Sequence, residues 1–258
     1  MPTAPSTSPS TRPTLHSILG RPPRRVLLKI SGEAFAKAGE FGIDPDELTL
    51  IAKEIGDAHA VGAQVAVVVG GGNIIRGASL ARSGDIHQAT ADYMGMLGTV
   101  MNAAALKEKL LSMGVDCRVQ SALEIKALAE PFIRGRAIRH LEKGRVVILA
   151  AGTGNPFFTT DTCAALRASE LDCDVLLKAT KVDGIYTADP NKDSTAIRYD
   201  HLTFSEALAK RLAVMDLTAL AMCQERKLPL LVFDFKKPRN IRRVIEGEPI
   251  GTIVTADA

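Results

Sequence analysis

The run Val146-Val147-Ile148-Leu149 is apolar at every position and gives way at once to Ala151-Gly152-Thr153-Gly154-Asn155-Pro156-Phe157-Phe158-Thr159-Thr160-Asp161. A run so short and so uniformly aliphatic reads as a strand buried on both faces, the signature of a parallel sheet covered by helices on each side. Past the turn, Cys163, Leu166 and Leu171 begin an apolar helical period, which puts Thr159, Thr160 and Asp161 at a helix start. Free amides and the helix dipole favour an anion there. Gly152 and Gly154 let the backbone turn sharply and approach a ligand without a Cβ in the way. An ordinary capped loop would explain the hydroxyls, but not the glycines combined with Asn155 and two phenylalanines.

The plan recurs. Arg25-Val26-Leu27-Leu28-Lys29-Ile30 is followed by Ser31-Gly32-Glu33, and a lysine ending a buried strand is costly unless an anion accompanies it. Val65–69 runs into Gly70-Gly71-Gly72-Asn73-Ile74-Ile75-Arg76-Gly77, where three glycines suit close approach of backbone amides to a phosphate and Arg76 could clamp its oxygens. Asp174-Val175-Leu176-Leu177-Lys178 again ends in lysine and opens a polar loop through Thr180, Asp183-Gly184, Tyr186 and Asp189-Pro190. Tyr186 could stack on a base or merely fill the loop.

Between these strands, Asp44, Pro45 and Glu47 signal a helix start, with Leu48, Ile51, Ala52 and Ile55 as its buried stripe. A long helix is expected over 89–113, with Asp92 near its start and a stripe through Met94, Leu97, Met101 and Leu111 that suits core or subunit contact. Further helices are expected over 122–140, broken near Pro131, and over 205–212 and 217–227, the last capped by Asp216. Strands at 230–233 and 251–254 flank a short helix from Pro238. This alternation predicts an α/β three-layer sandwich with a mostly parallel central sheet and ligand loops at the strands' carboxyl ends.

With 258 residues, 46% hydrophobic and 24% charged, the chain can bury a substantial core, and a net charge of +3 gives little support to nucleic-acid binding. Its apolar runs are too short to cross a membrane. Residues 1–23 are rich in Pro, Ser and Thr without the apolar stretch of a secretory signal, so a disordered tail is expected. Cys117, Cys163, Cys173 and Cys223 lack metal-ligand spacing and read as reduced core thiols, in keeping with a cytoplasmic protein. Neither a Walker A loop nor a Gly-x-Gly-x-x-Gly fingerprint after the first strand is present.

Taken together, Lys29–Gly32, the G-G-G-N-x-x-R-G string at 70–77, Asp92-Tyr93-Met94-Gly95-Met96-Leu97, G-T-G-N-P-F-F-T-T-D at 152–161, and L-K-A-T-K-V-D-G with Y-T-A-D-P at 177–190 resemble the bacterial UMP kinases of the amino acid kinase family. The 152–161 string is the most specific; the lysine–serine–glycine and triple-glycine elements are shared with carbamate, acetylglutamate and aspartate kinases. The resemblance spans about 25–254 and implies one amino acid kinase-like domain over 24–258, with an acceptor-nucleotide part to about 170 and an ATP part beyond it. It implies transfer of the γ-phosphoryl of ATP to UMP, with Mg²⁺ carried by ATP, in pyrimidine nucleotide biosynthesis. ATP would meet Lys29, Ile30, Ser31, Gly32, Gly72 and Arg76, with Thr180, Tyr186 and Asp189 on its nucleoside side. UMP would meet Gly71, Asp92, Thr153, Gly154, Asn155, Pro156, Phe157, Phe158, Thr159 and Thr160. Lys37, Ala38, Gly39, Glu40, Phe41 and Gly42 correspond to a region linked to GTP activation, with UTP as inhibitor, and a homohexamer is implied. A carboxylate or carbamate kinase of the same fold, or a non-catalytic nucleotide sensor, is the competing reading.

The chemistry asked of such residues is electrostatic. A phosphate monoester with a second pKa near 6 attacks without prior deprotonation at neutral pH, so no general base is required. Two like unit charges at about 4 Å in an effective dielectric near 20 repel by roughly 4 kcal/mol, which cations must offset. Lys29 and Lys178 are therefore the expected catalytic cations flanking the transferring group, with Asp161 orienting both and Arg76 steadying phosphates. No carboxylate cage dedicated to a metal is apparent.

Overall fold

The computed structural model describes residues 12–75, 84–190, 192–212 and 214–257. Helix α1 (Leu15–Leu19) precedes strand β1 (Arg25–Ile30), a 3-10 turn (Gly32–Phe35), helix α2 (Pro45–Ala60) and strand β2 (Gln64–Val69). Helix α3 (Gln88–Ser112), strands β3 (Cys117–Ser121) and β4 (Glu130–Pro131), helix α4 (Arg134–Glu142) and strand β5 (Val146–Ala150) follow. The chain continues through α5 (Thr160–Glu170), β6 (Val175–Thr180), β7 (His201–Thr203), α6 (Phe204–Ala209), α7 (Leu217–Glu225), β8 (Leu230–Asp234), α8 (Asn240–Ile245) and β9 (Thr252–Thr255).

The strands form one sheet in the order β4-β3-β5-β2-β1-β6-β8-β9-β7. Its pairs are parallel except β8 with β9, which is antiparallel. Side chains alternate between faces along a strand, and the core divides accordingly. Val26, Leu28 and Ile30 pack with Ile51 and Ile55 of α2, Val100 and Leu106 of α3, and Ile241 of α8. Leu27 and Leu176 pack with Leu141 of α4, Ala164 and Ala168 of α5, and Leu220 of α7. The expected three layers are present, and alternation puts Lys29 and Lys178 on the α5 side.

Two local expectations are corrected, and one strand is new. The segment read as a disordered tail carries α1 among its described residues. Thr14 and Ser17 cap that helix reciprocally, Gly20 ends it at φ 68°, and Leu15 is 1% exposed in the core. Its anchors lie far away in sequence: His16 Nε2 is 2.8 Å from Ile245 O, and Arg21 pairs with Asp174. Residues 1–11 lie outside the described residues. The helix expected over 122–140 is helical only from Arg134, because Phe132 N bonds to Ser121 O and β4 extends the sheet edge, where Pro131 needs no donor. β7, three residues beside β9, was not anticipated at all; it is too short to show a period.

Candidate active site

The β1–β6 register sets Lys29 directly opposite Lys178. Helix α5 packs across β1 and β2 on its way from β5 to β6, and its first turn brings Asp161 between the two ammonium groups. Lys29 Nζ lies 2.8 Å from Asp161 Oδ1, and Lys178 Nζ donates to Asp161 Oδ2 at 2.7 Å. All three side chains are only 12–15% exposed. Lys178 also donates to Val214 O, the carbonyl two residues before α7's cap. Burial pushes the Asp161 carboxyl up, but the charges of Lys29 and Lys178 more than offset it and leave it below its ordinary value. Burial pushes Lys178 down, with Lys29 acting in the same direction and Asp161 against it. Two ammonium groups share one carboxylate, so the cluster retains a positive charge to offer an incoming anion.

The turn that leads into α5 is held from two sides. Thr159 caps the helix, accepting from Asp161 N at 3.1 Å and Thr162 N at 3.2 Å. Ala151, Gly152, Gly154 and Phe157 all have positive φ, at 61°, 56°, 81° and 71°. Two α3 side chains fix these bends: Thr99 Oγ1 accepts from Ala151 N at 2.7 Å, and Asp92 Oδ2 accepts from Phe157 N at 2.8 Å. Beside them opens a cleft of about 420 Å³. Gly71, Gly72, Asp92, Thr153, Phe157, Phe158, Thr159 and Thr160 line it; Gly154, Asn155 and Pro156 do not. Gly154 instead abuts Ala122, and Asn155 bonds back to Thr153. Phe157 and Phe158 are 69% and 51% exposed at the rim.

A second cavity of about 590 Å³ lies on the other side of the lysine pair, lined by Lys178, Thr180, Tyr186, Asp189, Lys210 and Val214. Thr180 Oγ1 donates to Val182 O at 2.6 Å, and Tyr186 OH donates to Asp183 Oδ1 at 2.6 Å. Asp161 follows the two threonines of the first cleft, and Lys178 lines the second. The first cleft borders the ends of β2 and β5 and the second those of β6 and β8, so the cluster at β1 and β6 lies between them in the sheet order.

Other expected site residues are placed differently. The Ile30 side chain is 1% exposed and belongs to the core against α2 and α3, leaving only its backbone for a ligand. The glycines at 70–72 are explained mainly by protein contacts. A Cβ on Gly70 would come within 2.5 Å of Gly32 N, one on Gly71 within 2.6 Å of Gly95 O, and one on Gly32 within 2.3 Å of Gly72 N. Only Gly72 has open space beside it, and it lines the cleft beside Asp92. Ser31 leads the 3-10 turn without a side-chain cap bond. Lys37, Ala38, Gly39, Glu40 and Phe41 form an exposed tip, with Lys37 3.1 Å from Asp44 and Gly42 turning at φ 90°. Arg76 lies outside the described residues.

Sequence reasoning missed Gln88, Met96 and Thr99, which line the first cleft. Asp92, Met96 and Thr99 stand four and seven apart on one helix face, a spacing that could have revealed them. It also missed the reach of Asp216, seen only as a cap. Its carboxylate accepts from Thr159 Oγ1, Thr162 Oγ1 and Ala219 N, joining the starts of α5 and α7. Among the described residues no cluster of three His, Cys, Asp or Glu could hold a metal, and no helix is long and apolar enough to cross a membrane.

The profile of the amino acid kinase family matches residues 24–234. The chain belongs to that family. Within it, the chain is 56% identical over 234 residues to a uridylate kinase of Paramagnetospirillum magneticum, covering 91% of this chain and 97% of the relative. The UMP kinase of Bacillus anthracis superposes with a TM-score of 0.89 at 39% identity, over 92% of this chain and 98% of that one. The UMP kinase of Ureaplasma parvum gives 0.84 at 39% identity, over 90% and 98% of the two chains.

Proposed function

We propose that this amino acid kinase transfers the γ-phosphoryl of ATP to UMP, giving UDP and ADP for pyrimidine nucleotide synthesis. The observation that supports the reading is the Asp161-bridged pair Lys29 and Lys178, set in the sheet between two cavities, one of them walled by Gly152, Thr153 and Phe157–Thr160. UMP would occupy the cleft beside Asp92, with its phosphate against Gly71 and the α5 start, and with Gly72 left to the ATP phosphates. ATP would occupy the cavity beside Thr180, Tyr186 and Asp189, its phosphates reaching Lys178, Lys29 and the Ser31-Gly32 backbone. The two lysines then neutralise charge on the transferring group, and Asp161 keeps them aimed without taking a proton. Both Asp161 oxygens face ammonium groups, so the carboxylate is not free for a metal. Mg²⁺ would be held by phosphate oxygens and water and would supply further charge neutralisation there.

Assembly into a homohexamer is part of the proposal; Tyr93, Leu97 and Met101, exposed along α3, give subunits an apolar face to pack. Free cysteines suit the reducing cytoplasm. Regulation by GTP and UTP through 37–42 rests on the resemblance, and the exposed tip leaves that segment accessible. ADP release measured with UMP, CMP, AMP, carbamate and acetylglutamate as acceptors tests the whole. Efficient turnover with UMP alone is expected; preference for carbamate or a carboxylate, or no turnover with any acceptor, would overturn it.

A further inference from the structure

Asn73 follows the triple glycine and Asn102 lies midway along α3; they are 2% and 0% exposed. Asn102 Nδ2 donates to Asn73 Oδ1 at 2.7 Å, and Asn73 Nδ2 donates to Asn102 Oδ1 at 3.0 Å, so the two amides form a closed ring. Each has one N–H left. Asn102 spends it on Gly70 O at 2.8 Å, and Asn73 spends it on Gly42 O at 2.7 Å. The Gly42 N–H returns a bond to Asn73 O at 2.8 Å. Asn73 Oδ1 also stands 2.8 Å from where a Gly32 Cβ would be, so the ring fits only against a glycine there.

A buried, fully satisfied polar pair is a strong constraint, because every alternative arrangement leaves a polar group without a partner. This pair joins α3, the 70–73 turn, the 31–32 turn and the 42 position at one point. α3 is also the helix whose Asp92 and Thr99 hold the 151–157 turn. We infer that the Asn73–Asn102 amide ring is a positioning device that sets both glycine turns in register with α3, and so with the turn on the far side of the cleft. Neither side chain touches a reacting atom; the effect passes through the backbone of residues 31–32 and 70–72. The inference deepens the kinase reading and rests on it for its kinetic consequence.

Asn102→Ala, Asn73→Ala and the double variant would be compared with Leu110→Ala, a cavity in the same helix where Leu110 is buried away from the turns. Hydrogen exchange of the peptide spanning 65–75 is read first, below every variant's melting point. The Asn variants should exchange at least about tenfold faster than Leu110→Ala at equal loss of melting temperature. With ATP and UMP, Asn102→Ala should lose about tenfold or more in kcat, with a raised KM for ATP, while Leu110→Ala stays within twofold of wild type. The double variant should be no worse than the more affected single one, since either change opens the ring. Exchange and kinetics in Asn102→Ala matching those of Leu110→Ala would overturn the inference. Wild type inactive on UMP would sink the kinase reading alone, with the exchange comparison still deciding the ring. If the alanine variants do not fold, Asn102→Ser and Asn73→Ser are measured in the same way.

Discussion

Lys29 and Lys178 are rung partners on adjacent parallel strands, and Asp161 gives each ammonium its own carboxylate oxygen. Side chains that share a rung and a face start about 5 Å apart, and two unit charges at that distance repel by about 3 kcal/mol in an effective dielectric near 20. Asp161 offsets that repulsion in the resting protein. Asp161→Asn leaves it uncompensated in a nearly dry site, so turnover with UMP should fall about 10²-fold or more. Activity within a few-fold of wild type would reduce Asp161 to a first-turn residue of α5.

The same variant has a pH signature. Lys178 lies below its ordinary value because burial and Lys29 disfavour its charge, while Asp161 opposes them. Taking away the Asp161 charge removes the influence that raises Lys178, so its proton is lost at a lower pH still. The alkaline limb of kcat should therefore shift to lower pH in Asp161→Asn. A limb that stays put in full pH–rate profiles would show that Lys178 does not govern it.

Adjacent glycines should behave differently. A Cβ on Gly71 meets Gly95 O at 2.6 Å, whereas one on Gly72 meets nothing within 4 Å. Gly71→Ala should cost about 1–3 kcal/mol in denaturant unfolding. Gly72→Ala should melt like wild type and still weaken nucleotide binding, if the open space beside it receives a phosphate. Equal stability losses in the two variants would contradict this division.

Asp92 holds the Phe157 amide from across the cleft. Removing a charged acceptor from such a bond costs about 1.5–3 kcal/mol, so Asp92→Ala should raise the KM for UMP by about tenfold or more. The KM for ATP should stay within about twofold. A matched rise in both, from steady-state kinetics, would argue that Asp92 does not belong to the acceptor side.

Leu15 is buried although its segment has the composition of a tail. Leu15→Ala should destabilise the protein by about 2–5 kcal/mol while leaving kcat unchanged well below the melting point. Unfolding curves identical to wild type would show that α1 does not dock in solution.

These particulars mark what could be read from the residues. Aliphatic runs ending in Lys29, Val69, Leu149 and Lys178, each followed by a polar turn, sufficed for a parallel sheet with polar loops at its strand ends, because burial on both faces and backbone turning are local demands. That Lys29 and Lys178 would share a rung could not be read, since register is set by pairing across some 150 residues of chain. His16 escaped notice for the same reason: its partner is the distant Ile245 carbonyl. The triple glycine was legible as unusual, but its cause was assigned to a ligand when Gly70 and Gly71 mainly meet other backbone. Asn73 and Asn102 look like ordinary polar residues until the fold brings their amides together.

The most direct test of the central claim is pre-steady-state ADP formation with saturating ATP and UMP in wild type, Lys29→Met and Lys178→Met, with UMP affinity measured separately by calorimetry. Each single change should slow the chemical step by about 10²–10³-fold while UMP binds within a few-fold of wild type. A chemical step that survives loss of either lysine would contradict it.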